Sequence, residues 1–316
     1  MHKIVFIVPP RVHLLDINGP AHIFYEAKAL GLDCELHFVS MDGKKKIDSS
    51  AGLQFSDLKN FKNIKLGSDD YIFIPGMEFE VVASDRFSQE YGSFLSWLRK
   101  KHEAMVNICS VCSGAFILAA AGVLQGKECT THWRFKDRLQ EMYPRITIKS
   151  NRLFVQDENI YCSAGVSSGI DLALYILEGL SNAGVVSRIA QEIVYPLRRD
   201  ESDPQLNIYL QYRNHLDNRI FTIQDYMVKN LDASFTIETL ATLVNMSARN
   251  LTRLFKKKTT LTIHEYLSKL RIEKATQLLS SGHKVDSVAS ACGLNSTNQL
   301  RNLFKKHLGK NPSALF

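Results

Sequence analysis

Residues 108–124, ICSVCSGAFILAAAGVL, place an apolar run, a cysteine and an alanine-rich segment in direct succession. The run before Cys112 predicts a buried strand, and the segment that follows Ser113 predicts a helix. A sharp strand-to-helix turn of this kind is where α/β enzymes often present a nucleophile. The stretch therefore predicts an α/β domain with Cys112 at its functional site.

Short apolar runs and amphipathic segments alternate along the first two hundred residues. The predicted strands cover residues 3–8, 34–40, 69–76 and 104–111, and the predicted helices cover 17–30, 88–101, 167–181 and 184–195. Turn residues within 146–165 predict antiparallel strands there. This order indicates βαβ units in a flavodoxin-like, doubly wound, mostly parallel sheet.

The charge of the chain is unevenly distributed. Residues 213–316 contain 16 Lys and Arg against 7 Asp and Glu, whereas residues 1–212 contain 23 against 25. The last third therefore carries the whole positive excess, which indicates a module that binds a polyanion. PLRRDESDPQLN (196–207) is rich in charge and holds two prolines, which is typical of a linker. We expect domains over 1–195 and 218–316, joined by a linker over 196–217.

The C-terminal third contains an internal repeat. IETLATLVNMSARNLTRLFKK (237–257) matches VDSVASACGLNSTNQLRNLFKK (285–306), and each copy predicts a helix, a tight turn and a second helix. Asn245 and Gly293 tolerate the left-handed backbone that such a turn needs. Ser247 is the expected N-cap of the first copy's second helix, and either Ser296 or Asn295 that of the second copy. The sequence thus predicts an all-α domain with helix-turn-helix units at about 236–258 and 285–307, connected by a helix over 262–282.

The second helix of each unit has one apolar face, and the rest of its surface is polar and basic. Arg, Asn and Gln can form paired hydrogen bonds with guanine or adenine edges, whereas lysines suit phosphates. The expected base contacts are Arg249, Asn250, Arg253, Asn298, Gln299 and Arg301, and the expected phosphate contacts are Lys256, Lys257, Lys305 and Lys306. Two copies at matched spacing favour double-stranded DNA binding over an ordinary solvated helix face.

On this repeat and the final Gly309–Pro312 segment, residues 219–316 resemble the DNA-binding domain of the AraC/XylS family. The resemblance implies a sequence-specific transcriptional regulator whose two recognition helices enter successive major grooves about 10 bp apart. It also implies RNA polymerase as a further partner.

The N-terminal 195 residues resemble the ThiJ/PfpI branch of the class I glutamine amidotransferase-like superfamily, as found fused to AraC-type domains in GlxA-like regulators. The motifs that carry the resemblance are LLDINGP (14–20), FIPG (73–76), SVCSGAFILAAAGVLQGKECTTHW (110–133) and SAGVSSGIDLAL (163–174). It implies that Cys112 occupies the nucleophile position and that Asp16 is its acidic neighbour. Ser113 stands where several hydrolytic relatives have histidine, which argues against peptidase or amidase activity.

Thiol chemistry needs a thiolate and usually a base. We expect the dipole of the following helix to give Cys112 some thiolate character. His132 is the candidate base nearest in sequence, although a locally hydrogen-bonded turn histidine is the favoured interpretation. For Asp16 the alternative is an N-cap of the predicted 17–30 helix.

Two hypotheses follow for the N-terminal domain. In the first, a degenerate active site at the carboxyl ends of the strands binds a small polar metabolite as an effector. The expected lining residues are Asp16, Gly76, Cys112, Ser113, Ser163, Ala164 and Gly165. In the second, the protein also turns over that molecule, because isocyanide hydratase looks similar around Asp16, Cys112 and Ser113. The first hypothesis is favoured.

Several classes of function lack support in the sequence. No apolar run is long enough for a transmembrane helix, and neither a G-x-G-x-x-G nor a P-loop pattern indicates a nucleotide cofactor. The histidines and cysteines lack metal-ligand spacing, so no metal site is predicted. The six cysteines indicate reduced thiols and a cytoplasmic protein. By analogy with relatives of the N-terminal domain, we expect a homodimer.

Overall fold

The computed structural model describes residues 1–195, 199, 205, 208–213, 215–233, 235–280 and 282–312. The chain divides into two compact units, Met1–Gln205 and Leu206–Phe316. Most of the segment 196–207 lies outside the described residues, so the linker assignment stays a prediction.

The N-terminal unit is built on a seven-stranded sheet in the order β10-β11-β7-β6-β1-β2-β5. Neighbouring strands are parallel except for the antiparallel pair β10 and β11. The strands are β1 His2–Val8, β2 Cys34–Ser40, β3 Ile47–Asp48, β4 Gln54–Phe55, β5 Lys59–Asn60, β6 Tyr71–Ile74, β7 Asn107–Val111, β8 Glu128–Cys129, β9 Thr147–Ile148, β10 Phe154–Asp157 and β11 Ile160–Ser163. Strands β3 with β4, and β8 with β9, form two small separate pairs.

Helices cover both faces of the sheet, which confirms the predicted doubly wound architecture. The helices of this unit are α1 Leu14–Ala29, α2 Phe79–Val82, α3 Phe87–Glu90, α4 Gly92–Glu103, α5 Gly114–Ala120, α6 Lys136–Met142, α7 Ser168–Leu180 and α8 Ala183–Glu192. Helices α1, α7 and α8 share one apolar core, and α4, α5 and α6 share the other. The predicted 88–101 helix is interrupted at Tyr91, where α3 ends and α4 begins.

The described part of the C-terminal unit contains helices joined by turns, and no strand. Its helices are α9 Ile208–Gln211, α10 Asn218–Lys229, α11 Ile237–Leu243, α12 Ala248–Thr259, α13 Ile263–Ser280, α14 Val285–Ala291 and α15 Thr297–Leu308. Phe255 of α12 packs edge-to-face on Tyr266 of α13, and both are fully buried. Phe304 of α15 anchors a smaller core around α14. Two helix-turn-helix units joined by a long helix are therefore present, as predicted.

A search of the described helices finds none that combines the length and apolarity needed to cross a membrane.

Candidate effector site and nucleic-acid interface

Cys112 occupies a strained turn between β7 and α5, as the sequence predicts. Its φ is +59°, a left-handed conformation that non-glycine residues rarely adopt. Its backbone N–H donates to the Ser163 carbonyl at 3.1 Å, and its own carbonyl accepts from Thr131 Oγ1 at 2.9 Å. A Cβ on Gly114 would lie 2.2 Å from the Ile74 carbonyl oxygen, so glycine is required for α5 to approach β6 so closely.

Asp16 lies inside the first turn of α1, not at its N-cap. The helix begins at Leu14, three residues earlier than predicted, and His13 occupies the N-cap position. The alternative role of Asp16 as an N-cap is therefore wrong. Its Oδ1 instead accepts from the Val166 N–H at 2.8 Å, and its Oδ2 has no hydrogen-bond partner among the described residues although only 2% of Asp16 is exposed.

Two glycines pack so closely against the carboxylate and the thiol that neither position has room for a Cβ. A Cβ on Gly76 would lie 2.5 Å from Asp16 Oδ2 and 2.9 Å from Ser113 Oγ. A Cβ on Gly165 would lie 2.4 Å from Cys112 Cβ and 2.9 Å from its Sγ. The structure thus brings together five residues of the predicted pocket from four separate segments.

The remaining pocket residues have structural partners. Ser163 Oγ donates to the Ser110 carbonyl at 3.3 Å, and the Ala164 N–H donates to the Leu153 carbonyl at 2.8 Å. Ser163 and Ala164 are both buried, so their described bonds hold the loop after β11 in place.

The hydroxyl of Ser113 is fully engaged with the backbone of Met77. Ser113 Oγ accepts from the Met77 N–H at 3.0 Å and donates to the Met77 carbonyl at 2.9 Å. These bonds connect the nucleophile turn to the segment after β6, and they occupy the one proton that this hydroxyl can donate.

The expected thiolate character of Cys112 is wrong. Burial raises the pKa of its thiol well above the ordinary value, and the negative charge of Asp16 raises it further. An N–H bond from Ser113 acts in the opposite direction but is the weaker effect. Burial and the neighbouring Asp16 carboxylate therefore favour the protonated thiol, opposite to the effect expected from the position of Cys112 before α5.

Two histidines lie near this site. His132 Nδ1 accepts from the Arg134 N–H at 3.4 Å, as favoured for a turn histidine, and burial lowers its pKa. His13 lies closer to the carboxylate, with Nδ1 3.7 Å from Asp16 Oδ2. His13 is not among the predicted site residues, because its position beside Asp16 depends on where α1 begins.

The turns and caps of both helix-turn-helix units have the predicted geometry. Asn245 and Gly293 have φ of +53° and +66°. Ser247 Oγ caps α12 by accepting from the Asn250 N–H, and Ser296 Oγ caps α15 by accepting from the Gln299 N–H, each at 3.3 Å. Ser296, not Asn295, is therefore the second cap.

The predicted DNA contacts lie on the exposed faces of α12 and α15, opposite the buried Leu251, Phe255, Leu300 and Phe304. All ten are exposed: Arg249, Asn250, Arg253, Lys256, Lys257, Asn298, Gln299, Arg301, Lys305 and Lys306. Gln299 Oε1 also accepts from the Asn295 N–H at 2.9 Å, which leaves the amide N–H₂ of Gln299 for other partners.

Two protein families match separate parts of the chain, one within each structural unit. Residues 2–179 match the DJ-1/PfpI family, and residues 240–316 match a helix-turn-helix domain. The HTH-type transcriptional regulator GbdR of Pseudomonas aeruginosa is 28% identical over 277 residues, which is 87% of this chain and 73% of that protein. The isonitrile hydratase of Pseudomonas putida is 31% identical over 193 residues, which is 61% of this chain and 78% of that protein.

Among solved structures, a ThiJ/PfpI family protein from Pseudomonas syringae superposes with a TM-score of 0.53 at 22% identity. The superposition covers 81% of this chain and 88% of that one, and it supports the fold alone. Together with the duplicated, capped and basic helices, these matches establish that the chain belongs to the DJ-1/PfpI family and carries a C-terminal helix-turn-helix domain of the AraC type.

Proposed function

We propose that the N-terminal unit binds a small polar effector at the Asp16–Cys112 site and that this binding controls the transcription of target genes. The C-terminal unit makes the chain a DNA-binding transcriptional regulator, since relatives with this architecture are HTH-type regulators. The observation that carries the proposal is the buried Oδ2 of Asp16, which has no hydrogen-bond partner among the described residues and only the His13 ring nitrogen nearby, at 3.7 Å. A buried carboxylate oxygen without a donor favours a ligand that supplies a cation or an N–H group.

One chain of hydrogen bonds connects this site to the end of the N-terminal unit through Thr131. Thr131 Oγ1 donates to the Cys112 carbonyl at 2.9 Å, and the Thr131 carbonyl accepts from Gln205 Nε2 at 3.0 Å. Gln205 Nε2 also donates to Thr130 Oγ1 and to the Arg152 carbonyl, each at 3.0 Å. A ligand that shifts the Cys112 turn would therefore shift the attachment of Gln205, the last residue of this unit.

A second chain of hydrogen bonds passes through the loop after β11, where the Val166 N–H donates to Asp16. Next to Val166, Ser167 Oγ accepts from Arg199 Nη2 at 2.9 Å. The same nitrogen donates to Asp171 Oδ2 at 2.6 Å, and the Asp171 side chain is fully buried. Arg199 and Gln205 both belong to the predicted linker, so the proposed effector site is bonded to it at two points.

We further propose that the site is a degenerate active site without turnover. The similarity to isonitrile hydratase favours the alternative, in which the site retains cysteine-dependent hydratase activity. Against it stand the raised pKa of the Cys112 thiol and the Ser113 hydroxyl, whose proton is bonded to Met77. Steady turnover of an isonitrile by the full chain, lost in Cys112→Ser, would establish the alternative instead.

We also propose that the protein acts as a cytoplasmic homodimer on two half-sites. Leu15 and Tyr25 on α1 are 49% and 59% exposed, and they border an open groove lined by Leu36, Phe38 and Ile193. An exposed apolar face of this kind suits a second copy of the chain. Sedimentation of the full chain tests this, because Tyr25→Glu should shift a dimer toward monomer.

A thermal-shift screen of small polar metabolites on the full chain tests the effector proposal. An effector should raise the melting temperature and change the affinity for target DNA by about 5- to 150-fold, the usual range of allosteric coupling. Cys112→Ala and Asp16→Ala should abolish both responses, whereas the matched control Cys34→Ala should keep them. Unchanged responses in both site variants would show that the effector binds elsewhere.

A further inference from the structure

We propose that His13, Asp16 and Cys112 bind a thiophilic divalent cation of the Zn²⁺ class. His13 Nδ1, Asp16 Oδ2 and Cys112 Sγ lie no more than 4.8 Å from one another. Within the described residues, no other group of three or more His, Cys, Asp and Glu side chains is placed to share an ion in this way. An imidazole nitrogen, a carboxylate oxygen and a thiolate sulfur are all ordinary Zn²⁺ ligands.

The distances suit a small ion. Zn²⁺ binds nitrogen and oxygen at about 2.0–2.2 Å and sulfur at about 2.3 Å, so tetrahedral ligand atoms lie roughly 3.3–3.8 Å apart. The 3.7 Å between His13 Nδ1 and Asp16 Oδ2 already falls in that range. The separations that involve Cys112 Sγ are no more than 4.8 Å, so an ion needs the three side chains to draw together by about 1 Å at most.

The surroundings support an ion at this point. Asp16 Oδ1 is held by the Val166 N–H, which orients the carboxylate and leaves Oδ2 free, as an outer-shell partner does for a metal ligand. Gly76 and Gly165 bring backbone without a side chain directly against Oδ2 and Sγ, where any Cβ would collide with the site. Only 2% of Asp16 and 3% of Cys112 are exposed, so the partly exposed His13 marks the side from which an ion would enter.

Binding replaces one proton by the metal. The S–H bond of Cys112 breaks, its proton passes to the solvent, and a sulfur–metal bond forms. The thiolate and the Asp16 carboxylate then balance the two positive charges of the ion, and His13 binds through its neutral ring. With three protein ligands, the fourth position of a tetrahedral ion is left to water or to another small ligand. The binding itself is independent of the proposed function. That the bound ion changes the affinity for DNA, as an effector at this site would, rests on the proposed function.

Titration of the reduced, metal-free full chain with Co²⁺ tests the site. One equivalent should produce the near-ultraviolet absorption of a thiolate–Co²⁺ bond together with the visible bands of a tetrahedral ion, and Zn²⁺ should displace it. Cys112→Ser should abolish the near-ultraviolet band. Asp16→Asn and His13→Ala should each weaken binding at least tenfold, whereas Cys34→Ser, with a buried thiol elsewhere in the same unit, should bind as the wild type does.

Absence of the thiolate band at stoichiometric Co²⁺, or its persistence in Cys112→Ser, would overturn the proposal. Wild-type affinity in both Asp16→Asn and His13→Ala would overturn it as well. Because Asp16→Asn is nearly isosteric, it separates loss of a ligand from loss of the fold, which circular dichroism checks independently. Co²⁺ binding as described, with DNA affinity unchanged by Zn²⁺, would confirm the site and overturn its regulatory consequence.

Discussion

Gly293 fixes the turn of the second helix-turn-helix unit against the first half of the C-terminal unit. Its φ is +66°, and a Cβ there would lie 2.4 Å from the Leu231 carbonyl oxygen and 2.9 Å from Arg271 Nη2. The matching turn of the first unit holds Asn245 at φ +53°. The left-handed backbone alone would therefore allow asparagine at position 293. What requires glycine there is the lack of space for a Cβ.

Gly293→Asn measures the steric cost of a side chain at this position apart from backbone strain, because asparagine tolerates the left-handed conformation. Forcing extra atoms into a packed contact costs about 1–3 kcal/mol. Gly293→Ala adds the strain of a left-handed alanine, about 1–2 kcal/mol, which gives a total of about 2–5 kcal/mol. Because the clashing atom is a backbone carbonyl oxygen, we expect α14 and α15 to shift in order to make room for the side chain. The affinity for a target that spans two major grooves should therefore fall as well.

Native-state hydrogen exchange of the full chain, followed on peptides from α14 and α15, measures the free energy of unfolding of this unit. Asn245→Gly is the matched control, and it should change that free energy by no more than about 1 kcal/mol. A Gly293→Asn variant within about 0.5 kcal/mol of the wild type would refute the close packing of the turn on Leu231.

Three further perturbations test other parts of the account. Arg253→Ala should weaken binding to a selected target duplex by about 1–3 kcal/mol and binding to random DNA by little. Lys256→Ala should weaken binding to both duplexes, and in anisotropy titrations it should lower the slope of log affinity against log salt concentration by about 0.9. Equal effects on both duplexes from both variants would contradict the assigned roles. Ser296→Ala should destabilise the second unit by about 1 kcal/mol in hydrogen exchange because α15 loses its N-cap, and an unchanged value would contradict the cap. Burial raises the pKa of all five cysteines of the N-terminal unit, that of Cys162 to about 11. Above about pH 8.5 the unfolded chain therefore binds fewer protons than the folded one, and urea denaturation under reductant should give a free energy of unfolding that falls by up to about 1.4 kcal/mol per pH unit per thiol. Cys162→Ala should reduce this pH dependence by the contribution of one thiol. A free energy of unfolding that rises with pH over this range would contradict the burial of these thiols.

Local patterns in the sequence predicted the sheet and the helix-turn-helix units well. The strand over 34–40 has the predicted bounds, and α13 differs from the predicted 262–282 helix by a residue or two at each end. These elements have strong apolar periodicity and clear turn residues, which is the information that a local pattern contains. The start of α1 was misplaced because the segment before residue 17 has no polar N-cap that bonds to the helix.

The partners within the site could not be predicted in the same way. The Val166 N–H that holds Asp16 lies 150 residues further along the chain. His13 and Cys112 lie close together only in the folded chain, so the spacing of residues in the sequence could not reveal their cluster. The pKa of Cys112 likewise depends on burial from several elements, which the position of one helix does not reveal. Tertiary proximity, not local pattern, determines the chemistry of this site.

Whether this chain recognises DNA sequence is best measured by its affinity for a selected genomic duplex and for a scrambled duplex of equal length, both at about 0.15 M salt. A regulator with two recognition helices should prefer its target by at least about a thousandfold. That preference should fall in an Arg253→Ala, Arg301→Ala double variant. Equal affinity of the wild-type chain for the two duplexes would contradict the account.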